Sequence, residues 1–237
     1  MRRGALLHFI ALALVASSAY AITRFDESRY LPGVLHHLEK AKTSLEEGQT
    51  SLSLAHSEII LHEKTLAVYV DLSQVPEDLQ AACKNAAERS LKYWNDTLGS
   101  ASLVAVQEPE LAKLRISFSK EVELRGQQVG GYCSQSRGVT VSGEGEATPE
   151  YSAAIYARFN LPNGPTLNED ALTNIVTHEL GHVYGLRDTV DPEYLMSPLN
   201  PTKPKFELHP YELDALQQLR LTVFEIQRSA VARIKDN

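Results

Sequence analysis

Residues 178–188 read His178-Glu179-Leu180-Gly181-His182-Val183-Tyr184-Gly185-Leu186-Arg187-Asp188. Leu172, Ile175, Val176, Leu180 and Val183 recur at helical spacing through and ahead of this stretch, so the spacing predicts a helix. Thr166 with Glu169 has the form of a capping box that opens it, and Gly185 ends it. His178 and His182 are four apart and lie on one face, one turn apart. Two imidazoles placed this way reach one zinc ion at about 2.0–2.1 Å. Glu179, next to the first of them, is positioned to take a proton from a metal-bound water. A catalytic zinc site needs a third protein ligand and an open position. Gly185 lets the chain reverse, and Asp188 comes six residues after His182, within reach of the same metal.

Outward from this helix the pattern is mixed. Leu66–Leu72 reads as a strand, and Pro76 then opens a helix with its apolar stripe through Leu79, Cys83, Ala86, Trp94 and Leu98, stopped by Gly99. Ser102–Gln107, Ala112–Phe118 and Tyr151–Leu161 read as further strands. A short strand is expected at Gly138–Val141, within a stretch rich in Gly, Ser and Gln. The Pro162-Asn163-Gly164-Pro165 cluster is a turn. After the motif comes a loop of some twenty residues holding Pro192, Pro198, Pro201 and Pro204, and Pro210 opens a final helix through Leu213, Leu216, Leu219, Val223 and Ile226. This order predicts an α+β (α/β) domain over residues 65–237 with one mixed, twisted sheet.

With Met196 downstream, the motif resembles the metzincin signature H-E-x-x-H-x-x-G-x-x-H/D plus Met-turn. Leu195-Met196-Ser197-Pro198 is similar to the matrixin Met-turn, and Asp in the third ligand position resembles the snapalysin-like branch. A weaker likeness runs over about residues 66–219, including Tyr93-Trp94 and Asp214-Ala215-Leu216-Gln217-Gln218-Leu219. The resemblance implies a zincin fold with an active-site helix, a Met-turn and a C-terminal helix. It also implies Zn2+ held by His178, His182 and Asp188, a general base at Glu179, Met196 beneath the metal, and peptide or protein substrates. Substrate would pair with an edge strand near Gly138–Ser142. Two matrixin features are missing: residues 22–64 contain no Cys for a Cys-switch, and no His falls between His62 and His178 for a structural zinc. Structural Ca2+ is not indicated. Two alternatives stay open. One is a gluzincin in which Glu207 or Glu212 replaces Asp188. The other is a secreted, non-catalytic zinc-binding module, against which the intact Glu179 argues.

Met1-Arg2-Arg3, the apolar run Leu6–Val15 and Ala19-Tyr20-Ala21 together have the form of a cleaved secretion signal over residues 1–21. Secretion or a periplasmic location is therefore expected, with membrane attachment only if this segment is retained. Cleavage would remove two of 23 basic residues and none of 30 acidic ones, taking the formal charge from −7 to −9. An acidic chain without a basic patch is a poor partner for nucleic acid, and a monomer is expected. Residues 22–64 read as an N-terminal helical extension, a propeptide or a linker, with a stripe at Leu35, Leu38, Ala41 and Leu45. Two cysteines, Cys83 and Cys133, suit a disulfide in an oxidising compartment. Closing such a loop would stabilise by about 4 kcal/mol; two unrelated thiols, or Cys133 as a ligand, are the alternatives. Tyr132 and Tyr194 read by default as surface or core tyrosines, with oxyanion stabilisation the alternative. His36, His37, His56, His62 and His209 lack ligand spacing and read as structural or solvated.

Overall fold

A computed structural model describes residues 25–61, 65–100, 102–162 and 164–236. The leader-like residues 1–21 and His62 lie outside the described residues. Helices α1 (Pro32–Glu46) and α2 (Thr50–Glu58) precede strand β1 (Leu66–Asp71) and helix α3 (Glu77–Leu98). There follow β2 (Leu103–Val106), β3 (Leu114–Ser119), the short pair β4 (Glu123–Leu124) and β5 (Gln127–Gln128), β6 (Gly131–Val141) and β7 (Ala147–Arg158). Helix α4 (Glu169–Val183) carries the histidine motif, and α5 (Pro210–Asp236) ends the described chain.

Five strands form one sheet in the order β2-β1-β3-β7-β6. Neighbours are parallel except β6, which runs antiparallel to β7 at one edge. The fold is therefore mixed α/β. In β3 the alternation is plain: Leu114, Ile116 and Phe118 are buried while Arg115 is exposed. Helices α3 and α4 pack together against the covered face. Trp94 of α3 is fully buried, stacks on Tyr184 at 4.8 Å, and donates its indole N–H to Thr177 O at 3.0 Å. These contacts fix the depth of the motif helix. Gly99 ends α3 in the left-handed region at φ 67°, as its position after the apolar stripe requires.

Three expectations need correction. The N-cap of α4 is Asn168, whose side-chain oxygen accepts from Ala171 N at 2.8 Å, and not Thr166. Glu169 turns instead toward α3, where Asn85 and Arg89 bond it. The strand expected at Gly138–Val141 extends over Gly131–Val141. Its inward side chains include Gln135 and Arg137, which donate to His182 O at 3.0 Å and Val183 O at 2.9 Å. They satisfy the last carbonyls of α4, which lack partners within the helix. Cys83 and Cys133 are both free. Cys83 lies on α3, Cys133 on the far edge strand β6, and α4 packs between those two elements.

Residues 25–61 share the core of the rest. Tyr30, Val34, Leu38 and Ala41 belong to the same buried cluster as Leu180, Leu186 and Leu219. Arg29–Leu31 clasp the turn after α4, with Leu31 N donating to Gly185 O at 2.9 Å and Arg187 N to Arg29 O at 3.0 Å. Among the described residues, those up to 61 and those from 65 onward share one buried cluster.

Candidate metal centre

Helix α4 is buried on nearly every side, from Ala171 to Gly181. It delivers His178, Glu179 and His182 to one point, with their ligand atoms within 4.8 Å of one another. Gly185, at φ 89°, ends the helical path, and the chain returns with Asp188 facing both rings. Asp188 Oδ1 lies 3.2 Å from His178 Nε2 and 3.4 Å from His182 Nε2. Two ligands on one tetrahedral zinc with ordinary bond lengths are about 3.3 Å apart.

The tautomers follow from the opposite ring nitrogens. His178 Nδ1 is 2.9 Å from Leu195 O, and His182 Nδ1 is 2.9 Å from Leu186 O. A carbonyl oxygen only accepts, so each Nδ1 carries a proton, and Nε2 is the ring atom left to present a lone pair to a cation. Three acceptors, two imidazole nitrogens and a carboxylate oxygen, thus converge. A proton or a cation must stand between them. Without a cation, a proton at Nε2 takes its place, and hydrogen bonds donated in that way by His178 and His182 hold the Asp188 carboxyl well below the usual range. Burial disfavours a charged His182, but the Asp188 bond and the Glu179 charge outweigh it and raise its pKa. Two nitrogens and one oxygen suit Zn2+, and the histidines' carbonyl partners orient them as metal ligands usually are oriented.

Glu179 stands apart from that set. Its Oε2 is 4.0 Å from His182 Nε2 and, although buried, has no hydrogen-bond partner among the described residues. Burial pushes its pKa up, while His178, His182 and a bond from the Cys133 backbone pull the other way. An orphaned buried carboxylate oxygen is costly, and it faces a cleft of about 580 Å³ shared with His178 and Asp188. The backbone of β6 passes close by at Gly131. A β-carbon there would come within 2.8 Å of Ile175 Cγ2 and 2.9 Å of Glu179 Oε1.

Met196 is 1% exposed, and its sulfur lies against the α4 backbone at Gly181, between the two histidines. A β-carbon on Gly181 would overlap that sulfur. Gly181→Ala is therefore expected to destabilise by about 1–3 kcal/mol through overpacking, despite the higher helix propensity of Ala. Denaturant unfolding of the purified variant measures this, and an unchanged or higher midpoint would contradict it.

Other candidates lie elsewhere. Glu207 is exposed, and Glu212 is buried with its carboxylate bonded to backbone N–H groups of Leu195, Met196 and His209. Neither joins the histidine cluster. Tyr132 stacks on Tyr156, Tyr194 stacks on His209, and neither lines the cleft. His37 and His56 pair through Nδ1 at 3.0 Å and His36 packs against His37. Glu212, Gly131, Gly181, Gln135 and Arg137 carry weight in the site that no local motif announces. Comparison with models of known protein families finds no match, and comparison with curated proteins finds none.

Proposed function

We propose that the chain is a secreted zinc-dependent endopeptidase of metzincin-like fold, with His178, His182 and Asp188 as ligands and Glu179 as general base. What carries the proposal is the convergence of three lone-pair donors at 3.2 and 3.4 Å, beside a buried carboxylate oxygen that has no partner. Zinc bound there would acidify a water and polarise a carbonyl. With the metal in place, Glu179 would be the residue that accepts the proton of the attacking water and returns it to the leaving amine. Its raised pKa suits a group that must alternate between the two forms. Gln135 and Arg137 bond the end of α4, which fixes the helix that carries His182. The leader-like start supports action outside the cytoplasm. A site that held zinc for structure alone would have no use for an orphaned buried carboxylate oxygen, which weighs against a non-catalytic module.

The test is metal content and cleavage of an unstructured protein. The purified chain is expected to carry one zinc and to lose cleavage on chelation. Asp188→Ala should weaken zinc binding more than about 100-fold, since even the outer partners of zinc ligands are worth 10–100-fold. Glu207→Ala should retain it. Unchanged zinc affinity in Asp188→Ala would reject Asp188 as a ligand.

A further inference from the structure

We infer that the cavity beside Glu179 is a subsite for a carboxylate of the substrate, anchored by Arg158; this rests on the peptidase function proposed above. Arg158 ends β7, is 3% exposed, and is one of the residues lining the cleft that contains His178 and Glu179. Its Nη2 donates to Gln128 Oε1 at 2.8 Å. Its Nε and Nη1 are buried without any hydrogen-bond partner, and no carboxylate pairs with it among the described residues. Nε carries one N–H and Nη1 two, so at least three donors of a permanently charged group stay unsatisfied. A buried guanidinium without a counter-charge is costly. Such a group keeps its place at a binding site when the ligand supplies the anion.

The surroundings narrow the ligand further. Leu161, Leu167, Ile175 and Leu199 give the cavity apolar walls. An apolar stem ending in a carboxylate matches both walls and anchor, and a planar guanidinium recognises a carboxylate better than any neutral group. Glutamate has that shape. A free C-terminal carboxylate offers the same chemistry. Asn160 Oδ1, also in the lining and without a partner, accepts rather than donates. It makes glutamine the competitor that matters, and the charge of Arg158 decides for the acid. Because the whole chain is acidic, at −7, this local cation is what draws an acidic residue to the cleft.

Capped peptides differing in one residue next to the cleaved bond, on either side, test the assignment. With glutamate, kcat/KM should exceed that with glutamine by about 10–100-fold, the worth of a charge-assisted bond. Arg158→Met should abolish the difference by lowering kcat/KM for the glutamate peptide to that for the glutamine peptide. If that variant does not fold, Arg158→Gln serves in its place. Amidated and free-acid peptides separate a side-chain carboxylate from the chain terminus. Active protein without an acidic preference, or a preference that survives loss of Arg158, overturns the inference and leaves the peptidase proposal standing. If no peptide is cleaved, calorimetry on Glu179→Gln with the amidated glutamate and glutamine peptides decides independently. Arg158-dependent selectivity for the acid upholds the subsite, and equal binding of the two peptides overturns it.

Discussion

Glu179→Gln is expected to retain zinc, to melt at or above the wild-type midpoint, and to lose about two to four orders of magnitude in kcat. The substitution keeps size and planarity while replacing an acceptor that can hold a proton with an amide that cannot. The proposed ligands are His178, His182 and Asp188; Glu179 Oε2 stands farther off, 4.0 Å from His182 Nε2 against 3.4 Å for Asp188 Oδ1, and has no hydrogen-bond partner among the described residues. Zinc content should therefore be insensitive to the change. Burial opposes the negative charge of this carboxyl, so neutralising it should not lower stability and would relieve an orphaned acceptor. Opposite movements of stability and rate are the signature of a group kept for chemistry rather than folding. Metal analysis, thermal unfolding and turnover on one peptide separate the three quantities. A Glu179→Gln chain that turned over at the wild-type rate would remove the general base from the proposed mechanism. Loss of zinc in the same variant would instead make Glu179 a ligand.

The parts of this fold that show in the sequence are those fixed by local forces. Gly99 and Gly185 end helices because the backbone there needs positive φ, and both positions are readable from residue type and spacing. His178, Glu179, His182 and Asp188 sit within one turn of helix and one reversal, so their convergence follows from periodicity. The edge strand β6 is different. Its inward residues Gln135 and Arg137 are polar, because what they meet is the carbonyl end of α4 rather than an apolar surface. Alternation of apolar residues therefore vanishes where the strand matters most. The N-terminal segment looks like an appendage for a similar reason. Glu39, Lys40, Lys42, Glu46 and Glu47 face solvent, while Tyr30 and Val34 find their partners at Leu186 and Gly185, about 150 residues along the chain. Arg158 shows the same limit. Nothing in residue order distinguishes a strand-end arginine that meets an acid from one that meets only Gln128.

Glu212→Ala is expected to cost about 3–5 kcal/mol of stability and, in whatever remains folded, to weaken zinc binding by about 10–100-fold. Its position as the third residue of α5 matches an ordinary helix-start acid, and it does cap the helix by accepting from His209 N at 2.8 Å. The same carboxylate reaches across to the Met196 loop, accepting Leu195 N at 3.0 Å and Met196 N at 2.7 Å. Leu195 in turn offers its carbonyl to His178 Nδ1, and Met196 places its sulfur under the α4 backbone at Gly181. One buried side chain, 5% exposed, thus ties α5, the loop and the first histidine together. Removing it takes the acceptor from three backbone donors, those of Leu195, Met196 and His209, and frees the loop that orients His178. Glu212→Gln separates the two effects: its oxygen can still accept while its amide faces an N–H, so a smaller loss of stability with a similar loss of zinc affinity is expected. Denaturant unfolding of the zinc-loaded and zinc-stripped proteins measures both. If Glu212→Ala matched the wild type in unfolding and in zinc affinity, the loop would be held by its own turns, and His178 would owe its orientation to α4 alone.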